Sequence, residues 1–234
     1  MEKFSHFEGR ESQVQIHNQT PIGGGMRGDV FRVDAEVGNR TRNFVLKKFV
    51  DFQIHKPKET ITETASQSAE AAFLNHALAR EAGLRTFTTY RMGEDKESIL
   101  MTDAKVEGKI CIGSNSHGAT LETLGYEKLK EIKNFDTLLE NCFEEVVKAA
   151  RHDLVLWGDA LFFIIDESSG DVDYIVGDYD SLSYGAENKT LAGAFLTARA
   201  LIQFVTENVN EPGEYIAKIE SYFKEFKRGL SKNG

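Results

Sequence analysis

The chain has 234 residues, 41% hydrophobic and 28% charged, enough to bury a core in one domain or two small lobes. Its net charge of -9 excludes a global basic field for nucleic acid or an anionic membrane surface, and no apolar run is long enough to span a bilayer. Two cysteines, Cys111 and Cys142, exclude a disulfide scaffold and a cysteine metal site; with a polar start, they set the expected location as cytoplasmic.

Residues 1–12 read as a flexible lead-in. Val14-Gln15-Ile16 opens the first strand, and Gly23-Gly24-Gly25-Met26-Arg27-Gly28-Asp29-Val30 follows as G-x-G-x-x-G-x-V. From Val30 to Val37 the pattern alternates, with Phe31, Val33, Ala35 and Val37 on one face and Val30 and Arg32 on the other. Phe44 to Val50 is a third strand. The glycines therefore join two strands, whereas a dinucleotide site needs them to open a helix. Taken alone, the pattern also fits a bare hairpin tip.

Pro57 to about Gly83 reads as a helix, with Phe73, Leu74, Ala77 and Leu78 at helical spacing and Gly83 in the C-cap position. Thr86–Arg91 and Ser98–Thr102 read as strands around the turn Gly93–Lys96. From Asp103 to His117 periodicity is lost, and Ala104 to Gly108 reads as a connector. Leu121–Lys133 is a candidate helix. Phe135 to Ala150 is the clearest one, with Phe135, Leu138, Leu139, Cys142, Phe143, Val146, Val147 and Ala150 forming a core stripe. A hairpin follows, Leu161–Ile165 and Tyr174–Val176, turning at Ser168–Asp171. Two helices close the chain, one carrying Leu191 to Val205 and one starting near Pro212. The expected class is α+β. An N-terminal lobe of antiparallel sheet plus one helix covers 13–103, and a mostly helical lobe with a central hairpin covers 104–234.

Several residues suit phosphate chemistry. Glycines at these spacings admit close backbone approach to phosphates. Lys47 and Lys48 lie on opposite faces of a strand, and periodicity leaves open which one faces a site. Glu70, one turn before Leu74, is an acid that can pair with such a lysine. Asp153 ends the long helix. Asp159 and Asp178 sit at the open end of the hairpin, where two like charges repel unless a cation lies between them. With no lysine or arginine beside them in the hairpin, a divalent metal is expected, and hard oxygen donors select Mg²⁺ or Mn²⁺.

This set resembles the protein-kinase-like superfamily, in the flavour of its small atypical branches: RIO and lipopolysaccharide-type kinases, and aminoglycoside or choline phosphotransferases. The resemblance rests on the order of G-x-G-x-x-G-x-V, Val45-Leu46-Lys47, Glu70, His152-Asp153, Asp159 and Asp178-Tyr179-Asp180, and spans roughly residues 14–182. It implies a two-lobed kinase-like fold, trimmed at the C-terminus, that uses ATP and Mg²⁺. By position, Gly23, Gly25 and Gly28 would cover phosphates, Val30 and Val45 would roof the adenine, and Lys47 would bind α/β-phosphates and pair with Glu70. Residues from Met101 through Asp103 to Ala104 would be the hinge, offering backbone groups to the adenine. Asp153 would orient the acceptor hydroxyl, Asp178 would bind the main metal, and Asp159 would take the second-metal place.

The chain departs from that pattern in several places. Asp153 and Asp159 are six apart, where the family has an Asn five residues after its Asp. In the other register Asp159 is the catalytic residue, but Ile164 then falls at the metal position inside a strand. Asp-Tyr-Asp replaces Asp-Phe-Gly, and no Ala-Pro-Glu follows. The expected function is phosphoryl transfer from Mg·ATP to a hydroxyl of a protein or small molecule. The alternative is a pseudokinase that binds nucleotide or acts as a scaffold. A third reading takes Asp178-Tyr179-Asp180 as the D-x-D motif of a nucleotide-sugar transferase, which leaves the glycines, Lys47 and Glu70 unexplained.

Overall fold

The computed structural model describes residues 2–5, 11–37, 40–56, 59–104, 109–113, 127–179, 182 and 188–232. The chain forms two compact units, Met1–Ala77 with Phe87–Ala104, and Leu78–Thr86 with Lys105–Gly234. In chain order the elements are β1 (Glu2–Ser5), β2 (Glu11–Gly25), β3 (Gly28–Val37), β4 (Arg40–Phe49), β5 (Phe52–Lys56), β6 (Glu59–Glu63) and α1 (Ala65–Glu81). Then come β7 (Tyr90–Gly93), β8 (Ser98–Thr102), β9 (Lys109–Gly113), α2 (Phe135–Arg151), a 3₁₀ turn (Gly158–Ala160), β10 (Leu161–Asp166), β11 (Val172–Val176), α3 (Lys189–Asn208) and α4 (Gly213–Lys232). The class is α+β, with antiparallel sheets and four α-helices among the described residues.

In the first unit six strands close an antiparallel barrel in the order β1-β2-β3-β4-β8-β7. Strand alternation fills it. Phe4, Val14, Val33, Ala35, Phe44, Leu46 and Leu100 point inward and are buried, with Ile16 and Phe31 packed against them. Residues 2–5 are thus not a loose lead-in: Phe4 plugs the barrel, and β1 joins β2 to β7. A second correction concerns the stretch before the helix. The β5–β6 hairpin occupies it, and α1 begins only at Ala65. Thr64 and Gln67 cap that start reciprocally, Thr64 N–H donating to Gln67 Oε1 at 2.9 Å and Gln67 N–H to Thr64 Oγ1 at 3.2 Å.

The buried face of α1 is not the expected apolar stripe. Ala65, Ser68, Ala69, Ala72, His76 and Ala79 are buried, while Leu74 is 57% and Leu78 41% exposed. Small residues let the helix lie close to its neighbours, so size outranked hydrophobicity here. Gly83 closes the helix at φ +72, with Gly83 N–H donating to Arg80 O and Leu84 N–H to Ala79 O.

In the second unit β9, β10 and β11 form a sheet in the order β11-β10-β9. Strand β9 lies where the sequence lost its periodicity; its partner β10, not its own pattern, makes it a strand. The expected helix at 121–133 does not extend over 127–133, where Leu129 bridges to Val209, and its earlier part lies outside the described residues. Most of the α2 stripe is buried as its period predicts, but Val147 and Ala150 are only half-buried and Glu145 lies fully inside. Helix α4 packs its aromatic face on α2, Tyr215 edge-on to Phe135 at 4.7 Å and Tyr222 against Phe143 at 5.0 Å. No described helix is long and apolar enough to cross a membrane.

Candidate active site

The glycine-rich segment is the β2–β3 hairpin. Gly23 pairs with Val30, Gly24 with Asp29 and Gly25 with Gly28, with an irregularity between Pro21 and Gly23. Met26 and Arg27 form the tip. Arg27 ties it down: its carbonyl accepts from Val50 N–H at 3.1 Å, its guanidinium lies over the Phe52 ring at 4.6 Å, and Glu63 is 3.6 Å away. The glycines differ in kind. Gly28 presses on the Lys48 carbonyl, whereas nothing lies within 4 Å of where a Cβ would stand on Gly23 or Gly25. Those two expose bare backbone that a phosphate can approach.

Register fixes the neighbouring face. Val30 pairs with Lys47, Lys47 with Ile99, and Val45 with Met101. Val30, Val45, Lys47 and Met101 therefore share the sheet face opposite the barrel core, and all four are half-buried. Lys47 Nζ lies 4.9 Å from the Phe49 ring centroid. Lys48 is exposed on the other face, beside Phe31. Glu70 is exposed on α1. Asp103 is a side-chain partner rather than only a backbone position: its carboxylate binds Arg32 Nε at 2.6 Å, and its side chain is nearly buried. Strand alternation puts Arg32 on this face, but only the fold brings Asp103 to it.

The second unit carries the three aspartates. Helix α2 ends in the same cap as α1: Asp153 N–H donates to Ala150 O at 3.2 Å and Leu154 N–H to Ala149 O at 3.0 Å. The α1 cap has Gly83 at the left-handed position. The α2 cap has Asp153 there, at φ +62. Asp178, just beyond β11, is left-handed as well, at φ +50, and the only other described non-glycine residue of this kind is Lys96.

Backbone bonds join the loops that carry these aspartates. Gly177 N–H donates to Ala160 O at 2.8 Å, which extends the β10–β11 ladder and brings Asp159 and Asp178 to the same open end. Farther along, Val155 N–H donates to Leu182 O at 3.0 Å. Ala160 and Val155 are thus bonded to Gly177 and Leu182, with buried Tyr179 bonded to the Val176 carbonyl. Ile164, the metal position of the alternative register, is mid-strand, paired with Cys111 and Asp173. Asp180 lies outside the described residues.

Asp153 is itself 91% exposed, yet Lys189 Nζ from the first turn of α3 holds its Oδ1 at 2.9 Å. That hydrogen bond, reinforced by the ammonium charge, keeps the Asp153 carboxyl below its usual range. No sequence motif marks Lys189. Its signal was a cation directly after a helix-capping Asn188, on the side of the helix dipole that disfavours it.

Among the described residues no group of three or more His, Cys, Asp or Glu side chains converges as a metal cage. No protein-family model matches the chain, and no curated protein matches it in sequence. Among solved structures it is similar to the proinflammatory kinase CtkA of Helicobacter pylori, with 14% identity and a TM-score of 0.46, covering 83% of this chain and 64% of that one. The chain thus spans less than two thirds of that protein's length.

Proposed function

We propose that the chain is an ATP-dependent phosphotransferase acting on a hydroxyl group. The observation that carries this reading is the left-handed backbone of Asp153 and Asp178, on loops stapled to each other. Non-glycine residues occupy that region at a cost, and such strain concentrates where a side chain must be aimed. α1 solves the same capping problem with glycine, so the cap does not require the carboxylate.

In this reading Gly23 and Gly25 cover the phosphates on a hairpin that Gly28 closes against β4, and Val30 and Val45 contact the adenine. Lys47 binds the α/β-phosphates, and the backbone from Met101 to Asp103 meets the base. The donor set suits Mg²⁺ held with a nucleotide, which takes one or two carboxylates and fills its remaining positions with phosphate and water. Asp178 and Asp159 would supply those carboxylates. Bound there, Mg²⁺ would neutralise charge on the phosphate oxygens. Asp153 accepts the acceptor's proton as its oxygen bonds to the γ-phosphorus and the bond to the β–γ bridging oxygen breaks, releasing ADP.

The test is turnover of γ-labelled Mg·ATP by the whole chain, with Asp178→Ala beside it. Release or autophosphorylation that is lost in the variant supports the reading; equal activity in both removes the metal role of Asp178.

Glu70, exposed on α1, favours a second reading, a nucleotide-binding pseudokinase. A thermal shift on adding Mg·ATP without any turnover would select it.

A further inference from the structure

Lys189 and Asp153 are 36 residues apart, and the chain between them includes both stapled loops. Several features of the pair do not fit an incidental surface contact. The lysine opens a 20-residue helix whose first turn has no acid, so the helix dipole opposes its charge. Its side chain is the more covered partner, 28% exposed against 91%, so the lysine sets the geometry and the carboxylate conforms to it. Helix α3 also packs on the 3₁₀ turn that carries Asp159, since a Cβ on Gly158 would stand 3.5 Å from the Leu196 carbonyl. Lys189 is therefore docked on the same platform as the other carboxylates.

The cap fixes the Asp153 backbone, and Lys189 takes one carboxylate oxygen. Oδ1 is occupied, and among the described residues Oδ2 receives no hydrogen bond. An exposed aspartate normally turns freely about its side-chain torsions. This one has a single oxygen left to present.

We propose that Lys189 is a positioning residue. It clamps Oδ1 of Asp153 and turns Oδ2 toward the incoming acceptor hydroxyl. This inference rests on the phosphotransferase reading. It makes α3, and not the loop that holds Asp153, the element that orients the proton acceptor. Among the described residues, the charged groups around Asp153 are Lys189 from α3 and, on its own segment, Arg151 and His152, both exposed.

The experiment uses the full chain with Lys189→Ala, Lys189→Arg and, as a control for losing a surface ion pair, Lys218→Ala on α4. Two readouts are taken: the carbon-13 carboxyl titration of Asp153 without nucleotide, and turnover of Mg·ATP. In Lys189→Ala the Asp153 titration should rise toward the ordinary carboxylate range. Its kcat should fall at least about tenfold, with KM for ATP within about twofold. Lys189→Arg should recover most of both, and Lys218→Ala should change neither. An unmoved Asp153 titration overturns the inference, as does wild-type kcat in Lys189→Ala. If the unaltered chain turns over no Mg·ATP, the phosphotransferase reading falls and the positioning role falls with it. An active wild type with an equally active Lys189→Ala sinks the positioning role alone.

Discussion

Gly28 and Lys48 are in backbone contact across β3 and β4: a Cβ on Gly28 would stand 2.1 Å from the Lys48 carbonyl oxygen. No side-chain shift relieves that overlap, and φ at Gly28 is +154. Gly28→Ala is expected to destabilise the chain by about 2–3 kcal/mol, read by urea denaturation. Gly23→Ala and Gly25→Ala meet open space and should stay within about 1 kcal/mol of wild type. Their effect should appear instead as a raised KM for ATP. One glycine of the motif holds the sheet together, and the other two are free for a ligand.

The α2 cap separates stability from chemistry at Asp153. Asp153→Gly relieves the left-handed backbone and Asp153→Ala does not, so the glycine variant should be the more stable by about 1 kcal/mol in thermal melts. Asp153→Asn tolerates the same backbone and should fold like wild type. All three should lose phosphoryl transfer by about 100-fold or more. Residual activity that followed melting temperature would mean that the aspartate is only a cap.

Glu145 gives a prediction about the interior. Its side chain is fully buried on α2, and the Tyr174 hydroxyl of β11 donates to its Oε1 at 2.9 Å. Burial, then the nearby Glu145 charge, pushes the Tyr174 phenol far above its usual range, so it stays a donor at any working pH. Tyr174→Phe removes the best-placed donor to a buried carboxylate and should cost about 2–3 kcal/mol in denaturant unfolding. A loss below about 0.5 kcal/mol would show that Lys148, 3.4 Å away, suffices.

Acid stability should carry the signature of the β10–β11 turn. Asp166 Oδ1 accepts the Ser168 hydroxyl at 2.6 Å and the backbone N–H groups of Ser168 and Ser169, which holds its carboxyl down to about 2. The Ser168 hydroxyl is the largest cause, and the Ser169 N–H comes next. A depressed carboxyl stabilises the fold above its unfolded pKa, about 3.9, and that contribution is lost as pH falls through about 2. Ser168→Ala should bring the acid loss to higher pH, measurable as a raised Asp166 titration by NMR. An unchanged titration would assign the shift to the backbone bonds and Lys109.

Legibility in the sequence followed the strength of each local pattern. Val33, Ala35, Phe44 and Leu46 alternate cleanly, and all four fill the barrel. The α2 stripe was equally plain because seven of its buried positions repeat at three and four residues. β9 was missed because Lys109-Ile110-Cys111 becomes a strand only when β10 pairs with it. The α1 face was misread because Ala69 and Ala72 carry little hydrophobic signal, yet they are what close packing needs, while Leu74 and Leu78 face solvent. At the candidate site, residue identity marked Asp153, Asp159 and Asp178. No pattern showed that two of them are left-handed, since that depends on caps and staples formed across the fold. Lys189 was out of reach for the same reason.

The second unit owns a piece of chain that precedes the first unit's last strands. Arg85 binds Asp173 with both guanidinium arms, Nη2 to Oδ2 at 2.7 Å, and the Arg85 carbonyl accepts the Val176 N–H at 2.7 Å. Thr86 bridges the outer edge of β11. Separating the protein after Ala104 would therefore not free an intact C-terminal half. Such a fragment lacks Leu78–Thr86, and it bares the unpaired edge of β11 beside the aspartate loop. An exposed edge of that kind recruits strands from other molecules. Expressed alone, the fragment should self-associate, and a synthetic peptide carrying residues 78–86 should suppress that by taking the vacant edge.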